Sequence, residues 1–334
     1  MKIFEKILTR EEFQSEPPVL LDIGASGEMH KNWKEIAKYS ICIAFDADER
    51  EMGYIVKESS GYKKLYAYNA VVTDKNVNKI DFYLTKSPYC SSSLLSDAKN
   101  LKDWAYNDLF TLEKMVSLNA VTLKKVLDEL NIKNIDWFKI DSQGTDLRLF
   151  NSLNESLRNK VLTCDFEPGL INAYQGEDKL WSLLQYMEDK PFWISNLNVL
   201  GAQRINEAAR KSLNEKMILR EVIPISPGWV EISYLNTLKN ERIFTQRDYL
   251  LMWVIATMKK QCGFALEISI KGKTRFSDPI FIELENYTKK KMHEIYRYNL
   301  RVNRIIKFIR KPINLLKATV KNLLKIHSQI LWIK

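Results

Sequence analysis

Cysteine and histidine are scarce in this chain, and long apolar runs are missing. The four cysteines in 334 residues, Cys42, Cys90, Cys164 and Cys262, stand far apart with no paired spacing. That pattern argues against a zinc module and against a disulfide framework, and it predicts a reducing, cytoplasmic setting. Cys42 and Cys164 lie in apolar runs and read as small core residues. Of three histidines only His30 precedes the C-terminal tail, so no His/Asp/Glu cluster at ligand spacing exists and no metal is expected. No stretch reaches the roughly 18–20 apolar residues needed to span a bilayer. The N-terminus, Met1-Lys2-Ile3-Phe4-Glu5-Lys6-Ile7-Leu8, mixes charge into its apolar positions and lacks a signal-peptide core. These absences predict a protein that is neither exported nor transmembrane. Internal repeats are absent too.

What is present is an ordinary soluble composition, 46% hydrophobic and 28% charged, in a chain long enough to bury a full core. The formal net charge of +10 is concentrated at one end. Residues 287–334 hold 13 Lys and Arg against the single acid Glu294, and the other 286 residues carry a net charge of −2. A nearly neutral body gives a polyanion little to bind, so nucleic acid is not an expected partner. In the tail, Val302, Ile305, Ile306, Ile309, Ile313, Leu316, Val320, Leu323 and Leu324 recur at helical spacing. Lys307, Arg310, Lys317, Lys321 and Lys325 fall on the opposite side, and Pro312 kinks or splits the helix. A basic amphipathic helix of this kind binds an anionic membrane surface, or docks on its own body or a second copy, here through residues 295–334. The first option would place the protein peripherally at the inner face of the membrane.

The most informative stretch is Val19-Leu20-Leu21-Asp22-Ile23-Gly24-Ala25-Ser26-Gly27, followed by Phe45-Asp46-Ala47-Asp48. An apolar run ends in an acid and two glycines, and a second apolar run ends in acids 22 residues after Gly24. The spacing matches the first βαβ unit of a nucleotide-binding α/β domain, where a glycine turn meets the ligand and a carboxylate takes the ribose diol. Dinucleotides and S-adenosylmethionine are both bound this way. No third glycine completes Gly-x-Gly-x-x-Gly, and Asp22 would repel a pyrophosphate while welcoming the ammonium of S-adenosylmethionine. A tight turn with nothing bound, and an acid pair capping the following helix, are the plainer readings of the two motifs.

Strands are expected at Val19–Ile23, Ser40–Phe45, Lys64–Val72, Ile80–Thr85, Ile135–Asp141, Val161–Phe166, Phe192–Asn196 and Trp229–Leu235. Helices are expected near the N-terminus, at Met29–Lys38, Glu49–Ser60, Leu123–Leu130 behind Thr122, Thr145–Leu153, Asp178–Asp189 and Tyr249–Met258. Such alternation predicts a parallel sheet with helices on both faces, whose ligands sit outside the carboxyl ends of the strands. Asp22, Asp46, Asn69, Asp141 and Glu167 all fall at those ends. The predicted organisation is an N-terminal helix (1–17), a catalytic domain (18–240), a helical continuation of uncertain role (241–286) and the basic tail (287–334).

The blocks Asp22-Ile23-Gly24-Ala25-Ser26-Gly27, Phe45-Asp46-Ala47-Asp48, Cys90-Ser91-Ser92-Ser93-Leu94-Leu95 and Val121-Thr122-Leu123 together resemble the FkbM-type family of S-adenosylmethionine-dependent methyltransferases. The clearest match is Phe138-Lys139-Ile140-Asp141-Ser142-Gln143-Gly144-Thr145-Asp146-Leu147, and the resemblance runs over roughly residues 18–204 through Tyr174-Gln175-Gly176 and Gln203-Arg204. It implies a Rossmann-like seven-stranded methyltransferase sheet and methyl transfer to a hydroxyl of a sugar, cell-surface glycan or related metabolite. The chain departs from the family in carrying Asp46 where many members carry Glu, and Glu28 after Gly27 where another glycine is common.

The candidate contacts for S-adenosylmethionine are Asp22, Gly24, Ala25, Ser26 and Gly27 in the turn, Asp46 and Ala47 at the second strand tip, and Asn69 and Ala70 at the third. Ser92 is added by the resemblance alone. For the chemistry, Asp141 ends a buried strand at the mouth of the site and can position a ligand or accept a proton. Gln143 can orient a hydroxyl. Glu167 either faces the acceptor or only holds its strand end, and His30 is a general base or a solvated capping residue. A nicotinamide-dependent nucleotide-sugar oxidoreductase and a membrane-docked scaffold without turnover remain the alternative functions.

Overall fold

A computed structural model describes residues 2–25, 32–48, 50, 61–213 and 218–302. Seven strands form the main sheet: β1 (Val19–Ile23), β2 (Ile41–Asp46), β3 (Lys64–Asn69), β7 (Trp137–Ile140), β8 (Thr163–Phe166), β9 (Phe192–Ala202) and β10 (Ser226–Asn236). Their order is β3-β2-β1-β7-β8-β10-β9. The five strands from β3 to β8 are parallel, while β10 runs antiparallel to both β8 and β9. This is the expected Rossmann-like α/β architecture, with the expectation of uniformly parallel strands corrected at one edge. Parallel strands at the centre of such a sheet are covered on both faces, and every residue of β1 is buried. Strand β9 at the edge leaves Ile194, Leu197 and Val199 exposed.

The sheet's two faces differ in kind. Residues of alternate position point to opposite sides. Val19, Leu21, Ile23, Ile43, Phe45, Phe138, Ile140, Cys164 and Phe166 join one hydrophobic cluster with Leu123, Val126, Leu149, Phe150 and Leu183 from the covering helices. The opposite face carries a polar row in register across the strands: Asp22 beside Lys139, Lys139 beside Asp165, and Asp165 beside Ser233. Lys259, which follows helix Gln246–Met258, completes it by reaching Asp165 at 2.6 Å. Burial pushes the Asp165 carboxyl up, but Lys259, Ser233 and the Trp137 indole outweigh it and hold the group below the ordinary carboxylate range.

At the far end of the strands, Arg247 clamps the entry to β1. Its guanidinium makes two 2.8 Å bonds to Asp136 and donates to the carbonyls of Glu16 and Pro17, while Asp136 accepts from the Val19 amide. Both partners are buried, so removing one would strand a charge at a cost of about 3–5 kcal/mol. Helix Gln246–Met258 begins with a Thr245–Asp248 capping box. It belongs to the same compact unit as the sheet, Met1–Gln261.

Several expected elements differ. Of the helix expected at Met29–Lys38, residues 29–31 lie outside the described residues; the rest forms turns and a short 3-10 segment, Ala37–Tyr39. The helix expected at Glu49–Ser60 also lies outside them, apart from Arg50. The strand expected at Lys64–Val72 breaks at Ala70: β3 stays in the main sheet, and β4 (Val71–Val72) starts a second one. That three-stranded sheet, β4-β6-β5, pairs β5 (Lys79–Thr85) antiparallel to β6 (Leu112–Val121), a strand the sequence reading did not propose.

The second compact unit begins at Cys262. Helix Cys262–Phe276 is followed by a helix over residues 280–302. Gly272 lets the Phe281 ring approach so closely that a Cβ would sit 2.2 Å from it. The amphipathic pattern expected beyond residue 302 lies outside the described residues. None of the described helices is long and apolar enough to cross a membrane.

Candidate active site

The carboxyl ends of β1, β2 and β7 meet at one cleft, as the topology rule for open parallel sheets requires. Gly24 turns the chain there with φ +76°. A Cβ on Gly24 would lie 2.0 Å from the Asp141 carbonyl oxygen, so no other residue fits while the two strand ends stay in contact. The Gly24 and Ala25 amides both donate to the Phe45 carbonyl at 3.0 Å, which ties the turn to β2 as well.

Asp22 does not line the cleft. It points to the polar face, where Lys139 Nζ lies 2.8 Å from its carboxylate and donates to the Gly24 carbonyl at 3.0 Å. Burial alone would lower the Lys139 pKa; the Asp22 and Asp141 carboxylates reverse this and hold the ammonium charged. Asp22 thus fastens the turn through Lys139.

At the tip of β2, Asp46 and Ala47 line the cleft. The Asp46 carboxylate accepts from the Asp48 amide at 2.8 Å, and Asn69 Nδ2 donates to the Asp46 carbonyl at 3.2 Å. Asn69 therefore supports the acid. Asp48 is held by Arg50 at 2.6 Å, and the same guanidinium donates to Ser91 Oγ and the Thr85 carbonyl. Burial pushes the Asp48 carboxyl up, and the bonds from Arg50 more than offset that. Ala70 and Gly24 line the cleft with Val72 and Phe82, which give it an apolar wall. Ala25 is buried against the sheet instead.

The Asp141–Asp146 turn is the most tightly wired part of the site. Gln143 adopts φ +57° and Gly144 φ +105°. Gln143 Nε2 donates to Asp141 Oδ1 at 2.5 Å, its Oε1 accepts from the Tyr174 hydroxyl at 2.8 Å, and its carbonyl accepts from Ser92 Oγ at 2.8 Å. Ser92 is buried behind the turn and reaches the site through Gln143. Asp146 accepts from the Ser142 amide and hydroxyl and from the Glu167 amide, joining the ends of β7 and β8. Burial, then the Asp141 charge, push its carboxyl up to about 6 against the opposing Ser142 bonds.

Asp141 and Gln143 also line a second, roomier cavity of about 530 Å³. Glu167 faces it, as do Tyr106, Phe110, Tyr174 and Trp229, none of which is among the site residues expected from the sequence. The Asp141 carboxyl is pushed up by burial and pulled down by Lys139 and Gln143, with the first effect prevailing. For Glu167, burial first and then Asp141, Asp146 and Glu231 push the carboxyl up to about 9. The group is a neutral acid at pH 7 in the folded protein and ionised in the unfolded chain. Its contribution to stability is therefore complete below the ordinary value of 4.5 and is lost as pH rises to about 9. Replacing Glu167 with Gln, which keeps the neutral shape, is expected to raise Tm, and the gain should grow between pH 5 and 9. A gain that is flat across calorimetric scans in that window would refute the assignment.

Ser26, Gly27 and His30 lie outside the described residues. The structure brings together Gly24, Asp46, Ala47, Ala70, Asp141 and Gln143 at the cleft, places Glu167 in the adjoining cavity, and sets Asp22, Ala25, Asn69 and Ser92 behind them.

Residues 37–196 match the family model of the methyltransferase FkbM domain. No curated protein and no solved structure matches the chain. The matched segment runs from the start of the 3-10 turn before β2 into β9, so it contains Asp46, the Asp141–Asp146 turn and Glu167. The Asp22–Gly24 turn precedes it in sequence and is paired to it through β1. With its mostly parallel seven-stranded sheet and a cleft at the strand ends, the chain has an architecture consistent with a Rossmann-like methyltransferase, and residues 37–196 are similar to the FkbM methyltransferase domain.

Proposed function

We propose that the protein transfers a methyl group from S-adenosylmethionine to a hydroxyl of a sugar, a cell-surface glycan or a related metabolite. The observation that carries the reading is the junction of two cavities at Asp141 and Gln143. One cavity has the acid at the second strand tip and the apolar wall that suit a nucleoside; the other has room for an acceptor. The cleft residues fit the donor: Asp46 can accept from a ribose diol, and Val72 and Phe82 can flank an adenine. When bound, S-adenosylmethionine supplies a methyl group on a positively charged sulfur.

The chain's own residues then have distinct tasks. Gln143, locked between Asp141 and Tyr174, fixes the carboxylate that faces both cavities. As an acceptor hydroxyl becomes an ether its proton must leave, and Asp141 is the carboxylate placed to take it. A carboxyl pushed up by burial is the stronger base for that step. Glu167, protonated, offers a hydrogen bond without a charge.

Calorimetric titration with S-adenosylmethionine and with NAD tests the reading. Binding of the first alone is expected; binding of NAD alone would indicate the oxidoreductase alternative, and binding of neither the scaffold.

For the C-terminal region we propose docking on an anionic membrane surface. Residues 287–334 carry 13 cations against one acid, and Ile295, Tyr296, Tyr298 and Leu300 are exposed on the described helix beside Arg297 and Arg301. Each cation near an anionic leaflet contributes about 1 kcal/mol. Sedimentation with phosphatidylserine vesicles should deplete the full chain and leave a chain ending at Tyr287 in solution. Equal depletion of both would remove the proposal.

A further inference from the structure

The larger cavity has a wall and a charge pattern that select among acceptors. Four aromatic rings run side by side along it. Trp229 meets Tyr106 edge-on at 6.1 Å, Tyr106 meets Phe110 at 5.5 Å, and Phe110 meets Tyr174 at 5.6 Å. Gly169, Gly201 and Gly228 line the cavity without side chains to fill it. Its volume of about 530 Å³ falls within the range of small-molecule sites.

The polar groups around this space share one character. Asp141, Glu167 and Glu177 line it, and no Lys, Arg or His does so among the described residues. The Lys179 ammonium is bound to the lining Glu177 at 2.5 Å and to the Ile171 carbonyl. Lys139, whose charge acts on Asp141 and Glu167, does not line the cavity and is paired with Asp22 at 2.8 Å. A phosphate or carboxylate entering here would be stripped of water, find no cation, and face the Asp141 charge. A sugar ring carries the opposite features. Its C–H faces are apolar and weakly positive, and they stack on the negative faces of aromatic rings. Its hydroxyls can donate to carboxylates and accept from a carboxylic acid.

We propose that this cavity is the acceptor site and that it takes an uncharged, hydroxyl-bearing sugar ring stacked on the Tyr106–Trp229 wall, excluding acceptors whose bound portion carries phosphate or carboxylate. The protonated state of Glu167 fits such a guest, because a neutral acid both donates to and accepts from ring hydroxyls. The proposal rests on the methyl-transfer reading above and narrows its acceptor to a neutral glycan unit rather than a sugar phosphate or the diphosphate-bearing part of a nucleotide sugar.

The test uses full-length protein and three probe types: neutral methyl hexopyranosides, methyl glucuronoside as the carboxylate twin, and hexose 1-phosphate. Saturation-transfer NMR is expected to show at least one neutral glycoside binding about tenfold or more tightly than either anion. Trp229→Ala should abolish that binding, and Tyr106→Phe, which keeps the ring, should retain it. Calorimetry on the same variants should show the S-adenosylmethionine Kd unchanged within about twofold. Anionic probes binding as well as neutral ones, no neutral probe binding, or binding that survives Trp229→Ala would each overturn the proposal. Failure of S-adenosylmethionine to bind would instead overturn the methyl-donor reading, while the glycoside arms still report on the cavity.

Discussion

Replacing Asp141 with Asn is expected to lower kcat by about 10²- to 10⁴-fold, the usual contribution of a positioned general base. Asn keeps an oxygen for Gln143 Nε2, so the turn retains its hydrogen bond and the S-adenosylmethionine Kd should stay within a fewfold of the parent. The pH profile carries the sign. A base must be ionised, so parent kcat/KM should fall as pH drops through the Asp141 pKa, which lies above the ordinary carboxylate range. The variant should lose that acidic limb. Initial rates with labelled methyl donor across pH 5–8 measure both. A variant that keeps the parent rate would mean that water takes the proton and Asp141 only positions its neighbours.

Gly24→Ala is expected to have the largest effect on the donor site. Two penalties combine, a left-handed backbone at φ +76° and a Cβ 2.0 Å from the Asp141 carbonyl oxygen and 3.0 Å from its carbon. Neither neighbour is a side chain that can rotate away, so the turn must lift from β7. Left-handed strain of about 1–2 kcal/mol and overpacking of about 1–3 kcal/mol should lower Tm by about 5–10 °C. The S-adenosylmethionine Kd should rise by about a hundredfold or more, equivalent to roughly 2.8 kcal/mol. Thermal scans and calorimetry decide it. Parent-like values in both would mean that the turn is not under the constraint described.

These two positions were legible in the sequence for the same reason. Buried parallel strands read as unbroken apolar runs, and a polar residue or glycine at the end of such a run marks where the chain leaves the core. Asp22, Gly24, Asp46, Asp141 and Glu167 were all found by that rule. The rule does not say which way a side chain points, which is why Asp22 read as a ligand contact and lies instead against Lys139. That pairing depends on the register of β1 with β7, which sets Asp22 beside Lys139, 117 positions further along the chain. Strand β6 escaped because six of its ten residues are exposed and its Leu, Met and Val are interspersed with Glu, Lys and Ser. The aromatic wall was invisible for a third reason. Tyr106 and Trp229 are far apart in sequence, each unremarkable alone, and only the return of β10 beside β8 brings them together.

The bond from Lys139 to both Asp22 and the Gly24 carbonyl has a mechanical meaning. It welds the glycine turn to the strand that ends in Asp141, so the turn and Asp141 are held as one block. Parting these strand ends would break an ion pair and a hydrogen bond together. Exposed Tyr89 borders both cavities on the Pro88–Ser93 segment, whose Ser91 and Ser92 are tied in turn to Arg50 and Gln143.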